Sequence, residues 1–235
     1  MTLRAALVFL AALAFAAGPL LVPDFGGFEP DRYPVPQVDP PVQPAGYAFS
    51  IWGPIYLWLL AMAGYGLLRR REDPDWDATR LPLIVSLVVG ATWLAVALAS
   101  PVWATILIWV MLAGALWAYL ATPDREAIWL RAPVGLYAGW LTAASAVSVG
   151  LLAPGWGVPP FGQTGWAVAA LSGALLIAAF VLWRRPGWAY GAAVTWALVA
   201  VVVRNGAAPV GLLAGLGALA IAALTVRRMT GRRPA

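Results

Sequence analysis

About eight apolar runs divide the chain, and each is long enough to cross a lipid bilayer as a helix. They lie at about Leu3–Val22, Ala45–Leu68, Pro82–Ala99, Val102–Thr122, Ala132–Leu152, Gly165–Trp183, Gly187–Val203 and Ala208–Val226. Only Ser100 and Pro101 separate the third run from the fourth. Because a bilayer forces backbone hydrogen bonds to close within each segment, the predicted fold is all-α, a polytopic transmembrane helical bundle.

The arginines between these runs predict the orientation of the bundle. If the N-terminus is inside and the spans alternate, only Arg32 and Arg204 of the 15 basic residues fall outside. The inner segments then hold Arg4, Arg69, Arg70, Arg71, Arg80, Arg125, Arg131, Arg184, Arg185, Arg227, Arg228, Arg232 and Arg233. Cytoplasmic loops carry such an excess, so both termini are predicted to be cytoplasmic. The first outer loop, Pro23–Pro44, is proline-rich and acidic through Asp24, Glu29, Asp31 and Asp39.

The first run admits a second interpretation. Arg4, the following apolar stretch and Ala14-Phe15-Ala16 resemble a secretory signal peptide with its cleavage site. Cleavage would leave seven spans, and the mass of the mature protein would distinguish the two cases.

Absent residue types narrow the chemistry. The chain has no Cys and no His, and no Asp, Glu or Lys lies inside a predicted run. Metal catalysis, nucleophile–base pairs and haem ligation by His or Cys therefore lack their residues, so no catalytic residue and no metal site are predicted. Proton-coupled transport is disfavoured, whereas backbone carbonyls could still bind Na⁺. Because the arginines occupy short gaps between apolar runs, no nucleic-acid partner is predicted.

Aromatic residues supply the positive evidence, since the chain contains 14 Trp. Those near run ends suit the bilayer interfaces and are Trp129, Trp156, Trp166, Trp183 and Trp188. Those further inside are Trp52, Trp58, Trp93, Trp109, Trp140 and Trp196. Trp52 and Tyr56 share a helix face, as do Tyr137 and Trp140. Because buried N–H and O–H groups need partners, these rings indicate either a polar-edged cavity for a flat apolar ligand or core packing.

Glycines and one proline predict local packing. Gly135-x-x-x-Gly139, Gly187-x-x-x-Gly191 and Gly211-x-x-x-Gly215 are close-approach patterns, within one chain or in a homodimer. Pro54 removes a backbone hydrogen bond and is expected to kink the second helix.

Several motifs occur in a fixed order over about the first 150 residues. A proline-rich loop ends near Pro40-Pro41, and Trp52-x-x-x-Tyr56 follows. Next come Trp93 and, in the fifth run, Tyr137-Ala-Gly-Trp140-Leu-Thr-Ala-Ala-Ser. In this order the chain resembles the TspO/MBR family, the tryptophan-rich sensory proteins and the mitochondrial translocator (peripheral benzodiazepine receptor) proteins.

The chain also departs from that family. Ala48 and Phe49 stand where the family has Phe-Pro, and Gly90 and Ser148 each stand where it has Asn. Because these substitutions remove two polar asparagine side chains, the predicted pocket is less polar than in typical members.

The resemblance divides the chain into a five-helix core at residues 1–152 and three additional transmembrane helices with a basic tail at residues 153–235.

The resemblance implies a bundle that binds porphyrins, haem-type tetrapyrroles or other flat hydrophobic molecules, as a sensor or carrier. The implied ligand-binding residues are Phe49, Trp52, Tyr56, Trp93, Tyr137, Trp140 and Ser148. No cofactor is predicted other than a tetrapyrrole as ligand. The predicted partners are the lipid bilayer, a hydrophobic small molecule and a second copy in a homodimer, and the predicted location is the cell membrane, as a bacterial inner-membrane protein.

Three other functions remain open from sequence. The extra helices would give room to an uncoupled or Na⁺-coupled transporter of a small neutral solute. A porphyrin-degrading membrane enzyme could use tryptophan-assisted photochemistry or oxidation without an acid–base pair. A purely structural membrane protein would bind no ligand.

Overall fold

The computed structural model describes residues 1–22 and 27–231, and these residues form an all-helical bundle. Its helices are α1 (Thr2–Leu21), α2 (Trp52–Arg69), α3 (Pro74–Ala99), α4 (Pro101–Leu120), α5 (Ala132–Gly155), α6 (Gln163–Arg184), α7 (Trp188–Asn205) and α8 (Pro209–Thr230). Shorter elements are 3₁₀-helices at Pro30–Arg32 and Gly46–Ile51 and a π-helical turn at Ala127–Arg131. In this part of the chain, 8 helices are long and apolar enough to span a membrane, which confirms the predicted fold class. Asp24, Arg232 and Arg233 lie outside the described residues.

Two helix boundaries were tested by the structure. The predicted break between the third and fourth runs is confirmed, because the Ser100 hydroxyl accepts a hydrogen bond from the Trp103 amide at 3.3 Å and caps α4. The start of α3 differs from the prediction: the helix begins at Pro74 and runs through Pro82. Asp73 explains the earlier start, since its carboxylate accepts from the Asp75 amide at 3.0 Å.

Pro54 does not lie in the middle of an α-helix. The chain changes from a 3₁₀-helix to α2 at Trp52, so Pro54 falls in the first turn of α2. Helical turns nevertheless lie on both sides of Pro54, since the 3₁₀-helix Gly46–Ile51 runs directly into α2. The change of helix type thus lies two residues before Pro54, and the kink of the second helix remains a prediction.

The helices close into two rings that share α5. In the first ring α1 contacts α2, α2 contacts α5, α5 contacts α4, α4 contacts α3, and α3 returns to α1. In the second ring α5 contacts α6 and α7, and both of these contact α8. The shared helix is accordingly the most enclosed of the described spans, with 67% of its apolar window buried. The division into a core at residues 1–152 and three additional helices remains a prediction.

The predicted close-approach glycines are used within the chain. A Cβ atom on Gly139 would lie 2.5 Å from the carbonyl oxygen of Tyr190 in α7. A Cβ on Gly191 would overlap the Thr225 side chain of α8. These glycines let α5, α7 and α8 approach one another closely, as small residues do in membrane helices. A homodimer remains a prediction.

Ion pairs link loops that were predicted to lie on the same side. At one end, Arg70 bonds Glu126 at 2.8 Å, and the Arg80 side chain, 3% exposed, donates to the Arg70 carbonyl at 2.6 Å. At the opposite end, Arg204 pairs with Asp39 at 2.9 Å. The cytoplasmic location of the termini remains a prediction.

Candidate functional site

The first ring of helices encloses a cavity of about 260 Å³. Its walls are aromatic and aliphatic, and the cavity reaches the molecular surface near Pro19, which is exposed. The aromatic wall residues are Phe15 on α1, Phe49, Trp52 and Tyr56 at the start of the second span, Trp93 on α3 and Trp140 on α5. We call this space the aromatic cavity.

Rings from α2 and α5 meet at this cavity. Trp52 and Tyr56 stack with centroids 5.4 Å apart and an interplanar angle of 15°. Trp52 meets Trp140 edge to face at 6.0 Å and Tyr137 at 6.5 Å. Such offset and edge-to-face arrangements are the ones that the ring quadrupole favours. The sequence-based pairing of Trp52 with Tyr56 and of Tyr137 with Trp140 on common helix faces is confirmed.

Tyr137 lies behind the cavity surface. Its side chain is fully buried, with its hydroxyl 2.9 Å from the Ser86 hydroxyl. Because Ser86 already donates to the Met111 carbonyl at 2.7 Å, the phenol donates to Ser86. Tyr137 therefore links α5 to α3 and supports the ring of Trp52.

Among the donors of the wall residues, one has an acceptor and three have none within the described part of the chain. Trp93 donates to the Ala104 carbonyl at 2.8 Å. Trp140 is 3% exposed, and its Nε1–H has no acceptor among the described residues. Within the same part of the chain, Trp52 Nε1 and Tyr56 Oη also make no hydrogen bond. A ligand with a few polar atoms could accept from these three groups.

Ser148 does not lie at the aromatic cavity. It lines a second cavity, of about 80 Å³, between α5, α6 and α7, and its hydroxyl donates to the Ala144 carbonyl at 3.0 Å. We call this space the aliphatic chamber. The structure thus brings Phe49, Trp52, Tyr56, Trp93 and Trp140 together at the aromatic cavity and supports them with Tyr137. Ser148 shares only the second cavity with Phe49, Trp93 and Trp140.

The other deep tryptophans have separate places. Trp58 pairs with Trp188 at 5.8 Å, away from the cavity wall. Trp109 is 38% exposed on the outer surface of α4. Trp196 donates to the Ala48 carbonyl at 3.0 Å.

Helix α7 positions the Phe49 side of the cavity. Besides the Trp196 bond, the Ala45 amide donates to the Ala200 carbonyl at 3.0 Å. These contacts hold the 3₁₀-helix on α7, and Phe49 meets Trp140 edge to face at 6.0 Å. The additional helices therefore place a residue of the aromatic cavity.

Phe15 is an aromatic wall residue that the sequence did not predict. Its ring lies 5.0 Å from Tyr56, 5.8 Å from Trp52 and 5.5 Å from Tyr137. A Cβ atom on Gly90 would lie 2.7 Å from the Phe15 ring. Gly90, where the resembled family has Asn, therefore gives Phe15 its space.

We predict that Gly90→Ala destabilises the protein by about 1–3 kcal/mol, because the new methyl group overpacks Phe15. Adding Phe15→Leu should recover part of this loss, with a coupling energy of about 1 kcal/mol in a double-mutant cycle. Unfolding in detergent measures each variant. The control is Gly53→Ala, at a position with no neighbour within 4 Å. If the stability changes of Gly90→Ala and Phe15→Leu simply add in the double variant, the contact between residue 90 and Phe15 does not cause the loss.

A comparison with protein families bears on the whole arrangement. The family model described as TSPO-like protein matches residues 34–227. The match runs from the outer loop into α8, so it includes helices of both rings. No curated protein and no solved structure matches the chain. Since the family model covers well over half of the sequence, the chain belongs to the TSPO-like protein family.

Proposed function

We propose that this multi-pass membrane protein binds a flat hydrophobic molecule of the porphyrin or tetrapyrrole class and acts as a sensor or carrier for it. The observation that carries the proposal is the Trp52–Tyr56 stack beside Trp140 at a cavity of about 260 Å³. Apolar walls with a few polar groups are typical of small-molecule sites. Aromatic faces offer large contact areas to a flat ring system.

The size of the cavity supports entry of a macrocycle by one edge. Small-molecule sites start at roughly 300 Å³, so about 260 Å³ suits a few rings and not a whole porphyrin. The remainder would lie toward the opening near Pro19. Porphyrin carboxylates project from one edge of the ring, and this orientation would keep their charges out of the apolar interior.

Hydrogen bonding and packing would hold the ligand without metal coordination. Trp52, Tyr56 and Trp140 provide donors without acceptors of their own. The chain contains no His or Cys that could ligate an iron. Binding would therefore tolerate the metal-free macrocycle, and protoporphyrin IX is the appropriate probe.

The test is a titration of the detergent-solubilised protein with protoporphyrin IX, followed by tryptophan fluorescence and porphyrin absorbance. We expect saturable quenching together with a shifted porphyrin band. Quenching that grows linearly, without saturation, would contradict the proposal. Flux of bound porphyrin in proteoliposomes would then distinguish a carrier from a sensor.

We predict that Trp140→Phe lowers the affinity for protoporphyrin IX about fivefold. The substitution keeps an aromatic ring but removes the Nε1–H, and a hydrogen bond contributes about 1 kcal/mol. The matched control is Trp76→Phe, because Trp76 is also 3% exposed with an Nε1–H that lacks an acceptor, but it lies outside the aromatic cavity. If both variants bind protoporphyrin IX with the affinity of the unaltered protein, Trp140 does not donate a hydrogen bond to the porphyrin.

A further inference from the structure

The aliphatic chamber differs in chemistry from the aromatic cavity. Its walls include Ala143 and Val147 on α5, Ala174 on α6, and Ala197 and Leu198 on α7. Small aliphatic side chains dominate where these three helices face one another. A volume of about 80 Å³ is too small for a second ring system but sufficient for a short hydrocarbon segment.

Only a thin wall divides the two spaces. The same residues line both of them, namely Phe49, Trp93, Ile108, Trp140 and Ala144. Phe49 and Trp140 meet there edge to face, with centroids 6.0 Å apart and an interplanar angle of 82°. Phe49 and Trp140 therefore lie at the boundary between the two spaces.

Unfilled apolar space is costly, because the side chains around it lose packing contacts. A close-packed core would place larger side chains where the chamber has Ala143, Ala174 and Ala197. Apolar cavities of this kind stay free of water and accept small apolar groups. The chamber therefore suits a hydrocarbon group that arrives with a ligand.

We infer that the ligand consists of a flat ring system joined to a short aliphatic chain, with the ring in the aromatic cavity and the chain in the aliphatic chamber. This inference rests on the proposed function and adds the chemical class of the ligand to it. The chain would cross between Phe49 and Trp140.

Porphyrins that keep both carboxylates at one edge and carry a single methyl, butyl or octyl group at the opposite edge test the inference, because they share one ring system and differ only in chain length. In the unaltered protein we expect affinity to rise from methyl to butyl by up to about fourfold per methylene buried. It should rise little further from butyl to octyl, once the chamber is full.

Two substitutions of the same kind on α7 separate chamber binding from general hydrophobic partitioning. Ala197→Leu fills the chamber, whereas Ala192→Leu adds the same side chain at an exposed position of α7. We expect Ala197→Leu to abolish the gain from methyl to butyl and to leave the affinity for the methyl-substituted porphyrin, which does not reach the chamber, unchanged. Ala192→Leu should behave like the unaltered protein. Leu198→Ala enlarges the chamber, and the gain should then continue beyond butyl, which provides a test even if Ala197→Leu does not fold.

The outcomes distinguish the two proposals. If the methyl-substituted porphyrin does not bind saturably, the proposed function is wrong and the inference falls with it. If this porphyrin binds but all variants show the same dependence on chain length, the proposed function stands and the chamber does not receive the chain.

Discussion

The double variant Trp52→Ala with Trp140→Ala is expected to weaken protoporphyrin IX binding by about a hundredfold or more. Central aromatic residues of a binding site each typically contribute about 2 kcal/mol or more. The two indoles lie 6.0 Å apart, on α2 and α5, so their removal clears two walls of the aromatic cavity together. Binding should be followed by porphyrin absorbance, because the substitutions themselves lower the tryptophan fluorescence.

A second tryptophan pair provides a matched control. Trp58 on α2 and Trp188 on α7 lie 5.8 Å apart and outside the cavity wall. Trp58→Ala with Trp188→Ala removes the same number of indole rings and should change the affinity less than about twofold, since neither ring touches the ligand. If both double variants lose binding equally, general loss of structure accounts for the effect. If neither loses it, the porphyrin does not occupy the aromatic cavity.

Local patterns in the sequence account for much of the fold and for one aromatic pair of the cavity. Uninterrupted apolar length predicts spans because the bilayer demands it, and helical spacing placed Trp52 with Tyr56 on one face. These features depend only on residues near one another in the chain. The predicted start of α3 was wrong for a reason that is also local. Asp73 caps the helix and extends it into a charged segment, where hydropathy does not indicate a helix.

Contacts between distant helices could not be predicted in this way. Phe15 sits in a uniformly apolar helix, and only the packing of α1 against α3, with Gly90 opposite, turns its ring toward Tyr56. Ser148 was grouped with Trp140 because of the family motif, but it lies on the part of α5 that faces α6 and α7. The sequence indicates which residues share a helix face. The packing of the helices into two rings determines which cavity each face lines.

Substituting Gly139 by alanine is expected to separate the two rings of helices. A Cβ atom at this position would lie 2.5 Å from the Tyr190 carbonyl oxygen and 2.9 Å from the Ala193 Cβ. Because the first of these contacts is with backbone, α5 and α7 must move apart. Overpacking of this kind costs about 1–3 kcal/mol, and the gain of about 1 kcal/mol in helix propensity does not offset it.

Gly173→Ala is the matched control, because Gly173 lies in α6 with no neighbour within 4 Å of a built Cβ. That variant should be neutral or more stable by up to about 1 kcal/mol. Because both variants gain helix propensity, they should differ in detergent unfolding by the overpacking cost of about 1–3 kcal/mol. Since α7 also holds the segment that carries Phe49, Gly139→Ala should lower porphyrin affinity in the folded fraction as well. Loss of stability with unchanged affinity would show that the second ring supports the bundle but does not shape the aromatic cavity.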